Sequence, residues 1–215
     1  MKRLLAATAA LLVIGGSASA ATVSLDFVAL AAGTPGDRGG VEGQTFTFGG
    51  LDVTLTSSHN AYLDDLSNGK PAGLGVCGTI GVVGGISNQC DPSNDDNITT
   101  GESVTLTFGQ NVTSMTNFIF YDGNHNSLST SSSTFDIGYN GSVLSERTFA
   151  TYNGVSGSLT SITFAYGGTS ADQFYLGGAT VEYVAAVPLP AAMPMLAAGF
   201  GLLGVGAARR KRRKA

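Results

Sequence analysis

The 215-residue chain predicts an all-β fold, an antiparallel β-sandwich of jelly-roll type, flanked by an N-terminal signal-peptide helix and one C-terminal transmembrane helix. Three observations carry that expectation. Apolar and polar residues alternate with period two along most of the middle of the chain, the pattern of a half-buried strand. Gly- and Asn-rich turn pairs interrupt that alternation at short intervals. The two uninterrupted apolar runs lie at the ends, outside the alternating region.

Taken in order, the strand candidates are Val23–Leu30, Thr45–Phe48, Leu51–Thr56, Ser103–Phe108, Thr113–Tyr121, Thr134–Tyr139, Ser142–Leu144, Leu159–Ala165 and Gln173–Val184. Ser103–Phe108 is the cleanest: Val104, Leu106 and Phe108 point to one face and the Ser and Thr residues to the other. Leu51–Thr56 repeats that pattern. Asn117–Tyr121 is apolar at successive positions, which predicts a central strand. Gly49-Gly50, Asp122-Gly123-Asn124, Asn140-Gly141, Asn153-Gly154 and Gly167-Gly168 supply the turns, and Asn140-Gly141 between short strands predicts a type I′ turn. His59–Leu66 is the one stretch that could hold a short helix. Residues 67–101 read as a long Gly/Asn/Asp-rich excursion, the kind of loop that is functional when it is ordered. Eight to ten short strands joined this way predict a jelly-roll-like sandwich.

The ends carry targeting information. Lys2-Arg3, an apolar run from Leu4 to Ile14 and Ser17-Ala18-Ser19-Ala20 have the order of a secretory signal peptide, with cleavage expected before Ala21. At the other end, Leu189–Ala208 is 20 residues without a charge or a Ser, Thr, Asn or Gln. At ~1.5 Å per residue it covers roughly the 30 Å of a bilayer core. Arg209, Arg210, Lys211, Arg212, Arg213 and Lys214 follow it and place the C-terminus in the cytoplasm. The organisation expected is therefore a signal peptide over 1–20, an exported domain over 21–186 and a C-terminal sorting signal over 187–215.

Val187-Pro188-Leu189-Pro190, the apolar stretch and the basic cluster together resemble the VPLPA variant of the PEP-CTERM sorting domain of Gram-negative bacteria. Leu189 stands where the more common form of that motif has an acidic residue. The resemblance implies export through the inner membrane, handling by an exosortase-type processing enzyme, and delivery to the cell surface or an exopolysaccharide matrix. The exported body also resembles, more loosely, domains found upstream of such tails. That likeness rests on Gly73-Leu74-Gly75-Val76-Cys77, Asp95-Asp96-Asn97-Ile98, Glu102 with its following strand, and Asp172-Gln173-Phe174-Tyr175-Leu176. It implies a β-sandwich and no established chemistry.

Charge is distributed unevenly. Eight of the 11 basic residues lie in the two targeting segments, which leaves Arg38, Lys70 and Arg147 against all 15 acidic residues, a formal charge of −12 for the exported part. Such a surface repels nucleic acid and anionic polymers unless divalent cations bridge them. Cys77 and Cys90, an even pair in an exported chain, read as a disulfide closing about 14 residues. The rival, a two-cysteine metal site, has no neighbouring Cys or His to complete it.

Asp91-Pro92-Ser93-Asn94-Asp95-Asp96-Asn97 is the densest set of oxygen ligands, and Asp91, Asn94, Asp95 and Asp96 are its candidate structural calcium ligands, with Asp26 or Glu182 as distant contributors. The run lacks EF-hand spacing. His59 and His125 read as polar loop residues, because neither has a nucleophile at catalytic spacing and no Gly-x-Ser-x-Gly or His-Glu-x-x-His motif occurs. Any two of 15 acids could be a glycosidase pair, and the sequence singles out none. Tyr62, Tyr121, Tyr139, Tyr152, Tyr166 and Tyr175 could stack on sugars. The expectation is a non-catalytic surface or matrix protein, structural or adhesive in exopolysaccharide or biofilm. A carbohydrate-binding module of the same fold is the alternative, and a secreted hydrolase comes third.

Overall fold

A computed structural model describes residues 19–32, 37–65 and 69–185, and the domain considered is the compact unit Ala20–Ala185. Residues 1–18 of the expected signal peptide over 1–20, the expected sorting motif Val187–Pro190, the membrane-length stretch and the basic cluster lie outside the described residues. Among the described residues, no helix is long and apolar enough to cross a membrane.

The domain is all-β. Its strands are β1 (Ser19–Asp26), β2 (Gly39–Gly40), β3 (Thr45–Phe48), β4 (Leu51–Ser57), β5 (Asn60–Asp64), β6 (Gly73–Cys77) and β7 (Ile80–Val83). After these come β8 (Ile86–Cys90), β9 (Ser103–Asp122), β10 (Thr134–Tyr139), β11 (Ser145–Thr148), β12 (Gly154–Ala165) and β13 (Phe174–Ala185). A five-residue helix α1 (Phe27–Ala31) and a 3₁₀ turn (Phe149–Thr151) complete the described elements.

The organising element is β9, whose 20 residues join the two Thr/Val-rich segments that the alternation suggests as separate strands. On one side β12 follows it antiparallel from Thr116 back to Ser103, with two irregularities near Leu159. On the other side the partner changes. Val104–Phe108 pair with β4, and Val112–Asp122 pair with β13. The switch falls at Gly109-Gln110-Asn111, where Gln110 Oε1 accepts from the Asp52 amide at 2.9 Å. From β9 the sheet extends through β13, β6, β5 and β2 in one direction and through β12, β10 and β11 in the other. These ladders are antiparallel.

Alternation becomes burial where it was clearest. Val104 and Leu106 in β9, and Leu51, Val53 and Leu55 in β4, are fully enclosed. Asn117–Tyr121 does lie in the central strand, yet Ile119 is 47 % exposed. Asn140 and Gly141 both have positive φ, 52° and 74°, as the type I′ turn requires.

Four expectations need correction. The helix considered over His59–Leu66 does not form in its described part, 59–65: Asn60–Asp64 form β5, since every residue from Asn60 to Asp64 finds a cross-strand partner in β6. The excursion over 67–101 is largely structured, with β6 buried along its whole length and β7 and β8 forming a hairpin above it. The first strand stops at Asp26, because Asp26 Oδ1 accepts from the Ala29 amide at 2.8 Å and caps α1. Ser142–Leu144 belong to a loop, and the strand begins at Ser145, where Ile137 is its partner.

Candidate functional site

Of the sites expected from sequence, the disulfide is formed. Cys77 at the end of β6 and Cys90 at the end of β8 have Cα atoms 5.7 Å apart, and both pack against Tyr62 and Ile80. The acidic run that follows does not assemble. Asp91 and Asn94 are on the exposed side of a turn, Asp95 Oδ2 accepts from the Gly78 amide at 3.3 Å, and Asp96 points into the protein. The distant contributors are engaged elsewhere, Asp26 in its helix cap and Glu182 with the Ser114 hydroxyl at 3.0 Å. Among the described residues, no three His, Cys, Asp or Glu side chains stand as a metal-holding group.

The split has a local cause. Ile98 exchanges backbone hydrogen bonds with Phe174 of β13, at 2.8 and 3.2 Å, and this draws 96–98 across β6. The approach is so close that a Cβ on Gly75 would lie 2.0 Å from the Asp96 carbonyl oxygen, so only glycine fits there. Asp96 and Asn97 are thereby carried inward while Asp91–Asn94 remain in solvent.

What gathers instead is a buried polar cluster from segments far apart in the chain. The Tyr175 hydroxyl, on β13, donates to Asp96 Oδ1 at 2.5 Å. Asp64, the last residue of β5, is buried near enough to feel the charges of Asp96 and Asp37. Asp37 in turn accepts from the Tyr62 hydroxyl at 2.8 Å and from the Asp65 amide at 3.1 Å. Gln89 donates to the Asp37 carbonyl at 3.3 Å, and Tyr62 packs against Cys77 and Cys90, which ties the disulfide hairpin to the cluster.

His125 closes the other side. It is no solvated loop residue: only 11 % of its side chain is exposed, and its Nε2 lies 3.3 Å from Asp64 Oδ2. The ring sits 5.2 Å from that of Tyr175. Asp122 holds the loop in this pose, with Oδ1 accepting from the Asn124 and Asn126 amides at 2.8 Å each. Burial works against the Asp122 charge, but these amides prevail and its carboxyl sits below the ordinary range. His125 Nδ1 lies 3.2 Å from the Lys70 carbonyl, which can only accept, so Nδ1 carries a hydrogen. Asp64 Oδ2 stands at ion-pair distance from Nε2 without a hydrogen bond to it.

Electrostatics agree with a proton on the acid. Burial, and then the neighbouring charges of Asp96 and Asp37, push Asp64 up to about 8. Burial also raises Asp96, against the pull of the Tyr175 hydrogen bond. Tyr62 and Tyr175 are raised by burial and by the carboxylates they face, so both phenols remain neutral donors. The arrangement favours a proton or a positive charge beside Asp64 and Asp96.

His59 lies in a separate place, 4.0 Å from Glu102, whose carboxyl is raised by burial. Tyr62 and Tyr175 are buried, and Tyr139 and Tyr152 hydrogen bond each other at 2.8 Å, so four of the six tyrosines considered as sugar platforms are spent internally. Sequence reading missed Asp37, Asp64, Asn97, Tyr175 and His125 as a group. A partial signal existed, since the runs Asp95–Ile98 and Asp172–Leu176, both singled out in the sequence, meet in space at the Ile98–Phe174 bridge. Comparison with protein-family models, curated proteins and solved structures finds no match to this chain.

Proposed function

We propose that this is an exported, C-terminally sorted surface or extracellular-matrix protein with a structural or adhesive role in exopolysaccharide or biofilm. Its body is a jelly-roll-like β-sandwich without catalytic activity. The observation that carries the reading is the frame: a secretory leader before the domain, and Val187–Pro190, one membrane-length apolar stretch and Arg209–Lys214 after it. The Cys77–Cys90 bridge supports passage into an oxidising compartment. On this reading the chain crosses the inner membrane of a Gram-negative bacterium and is held with its C-terminus inside. An exosortase-type enzyme then acts at or near Val187-Pro188-Leu189-Pro190.

The inward-turned tyrosines favour a scaffold over a sugar-stacking module, and the buried acid cluster favours a structural over a hydrolytic use of its carboxyls. The test is the intact mass of the protein from membrane and extracellular fractions of its host. Loss of the residues beyond about Val187 in the extracellular form is the expected result. An uncut tail found only in the inner membrane would remove the matrix role.

A further inference from the structure

We infer that Asp37, Asp64, Asp96 and the Asn97 side-chain carbonyl form a binding site for a divalent cation of calcium's size, separate from the exposed 91–95 turn. Two orphaned atoms point to it. Asp64 Oδ2 and Asn97 Oδ1 are buried without a hydrogen-bond partner, in residues only 7 % and 3 % exposed. His125 Nε2 stands at ion-pair distance from Asp64 Oδ2 but is not aligned to bond it. Buried polar atoms in proteins are ordinarily satisfied, so two orphans in one cluster call for a missing partner. Geometry links them: His125, 3.3 Å from Asp64 Oδ2, has its ring 5.2 Å from that of Tyr175, whose hydroxyl holds Asp96, the chain neighbour of Asn97.

The missing partner is positive. Arg38 lies over the Phe46 ring, Lys70 bonds Asn126 at 2.7 Å and Arg147 bonds the Glu146 carbonyl at 2.6 Å. The exported domain has no other Lys or Arg. Three carboxyls therefore share one histidine. Carboxylates, an amide carbonyl and a phenol are hard oxygens, and a mixed set from separate segments suits calcium, which accepts six to eight oxygens in irregular geometry. Magnesium demands a near-regular octahedron and holds its waters. The acids do not yet stand at metal spacing, so binding turns Asp64 and Asp96 toward Asn97 Oδ1. Half-buried Asp37 lies on the solvent side and gives the ion its entry.

The experiment uses the full chain, stripped with EDTA, in equilibrium dialysis against calcium and in thermal melts. One calcium per chain is expected, with Tm raised by about 5–10 °C at hundredfold saturation. Asp64→Asn should weaken binding at least tenfold while Tm without calcium is kept. Should that variant not fold, Asn97→Ala answers the same question: weakened binding supports the site, and unchanged binding overturns it. Failure of the folded parent to retain calcium overturns it too. So does binding that survives Asp64→Asn but is lost in Asp91→Asn/Asp95→Asn, which would put the ion in the exposed turn.

Discussion

The two faces of β13 at its start border opposite solutions to enclosing large side chains, and they meet at adjacent residues. Phe174 faces a cluster of Phe120, Phe135, Phe149 and Phe164, with ring centroids 4.6 to 6.3 Å apart among pairs involving Phe135. Tyr175, next in sequence, points to the other face of the sheet and into the acid cluster. The aromatic cluster gains by area and packing alone and needs no partner-by-partner satisfaction. The acid cluster is stable only if each donor and acceptor is matched, and its balance depends on pH, oxidation state and ions. One region is robust to conditions and sensitive to volume; the other is the reverse.

Phe135→Ala tests the volume side most severely. Phe135 is fully buried, so the loss should be about 3–5 kcal/mol in urea denaturation, with little dependence on pH. A loss below about 1 kcal/mol would show that this cluster collapses around the gap.

The pH dependence tests the other region. Asp64 is raised from 3.8 to about 8 in the folded state, so the fold favours its protonated form. The stability that proton provides is complete below pH 3.8 and is lost as pH rises to about 8, by at most about 1.4 kcal/mol per unit. In EDTA, stability should fall across that window, and Asp64→Asn should flatten the profile. A parent profile that rises from pH 5 to 8 would contradict the arrangement.

Replacing both cysteines by alanine should cost ~3 kcal/mol by loop entropy, and it should disturb the acid cluster more than the aromatic one, because Gln89 and Cys90 both bear on it. Amide exchange near Tyr62 and Tyr175 would report this. Tyr175→Phe removes the donor to Asp96 without changing volume, for about 1–3 kcal/mol. Val143→Ser, at a loop position 92 % exposed, should stay within about 0.5 kcal/mol and serves as the baseline for both regions.

Local pattern and composition determined a good deal by themselves. Alternation in Leu51–Thr56 and Ser103–Phe108 marked buried strands because a strand's two faces are written every second residue. Asn140-Gly141 marked its turn because positive φ is a property of those residues. An even pair of cysteines marked the bridge. The same locality explains the misses. β5 and β6 look like helix and loop in isolation because their backbones are satisfied only by other strands, β5 by β2 and β6, and β6 by β5 and β13. The acid cluster was illegible for a stronger reason. Asp37, Asp64, Asp96, His125 and Tyr175 lie on separate segments, and whether a carboxyl is solvated or buried depends on what arrives from elsewhere in the chain. The densest acidic run drew attention to Asp91–Asp96, and folding divided it. Only the tertiary structure decided which of those acids would lose water, and so which would need a proton or a cation to replace it.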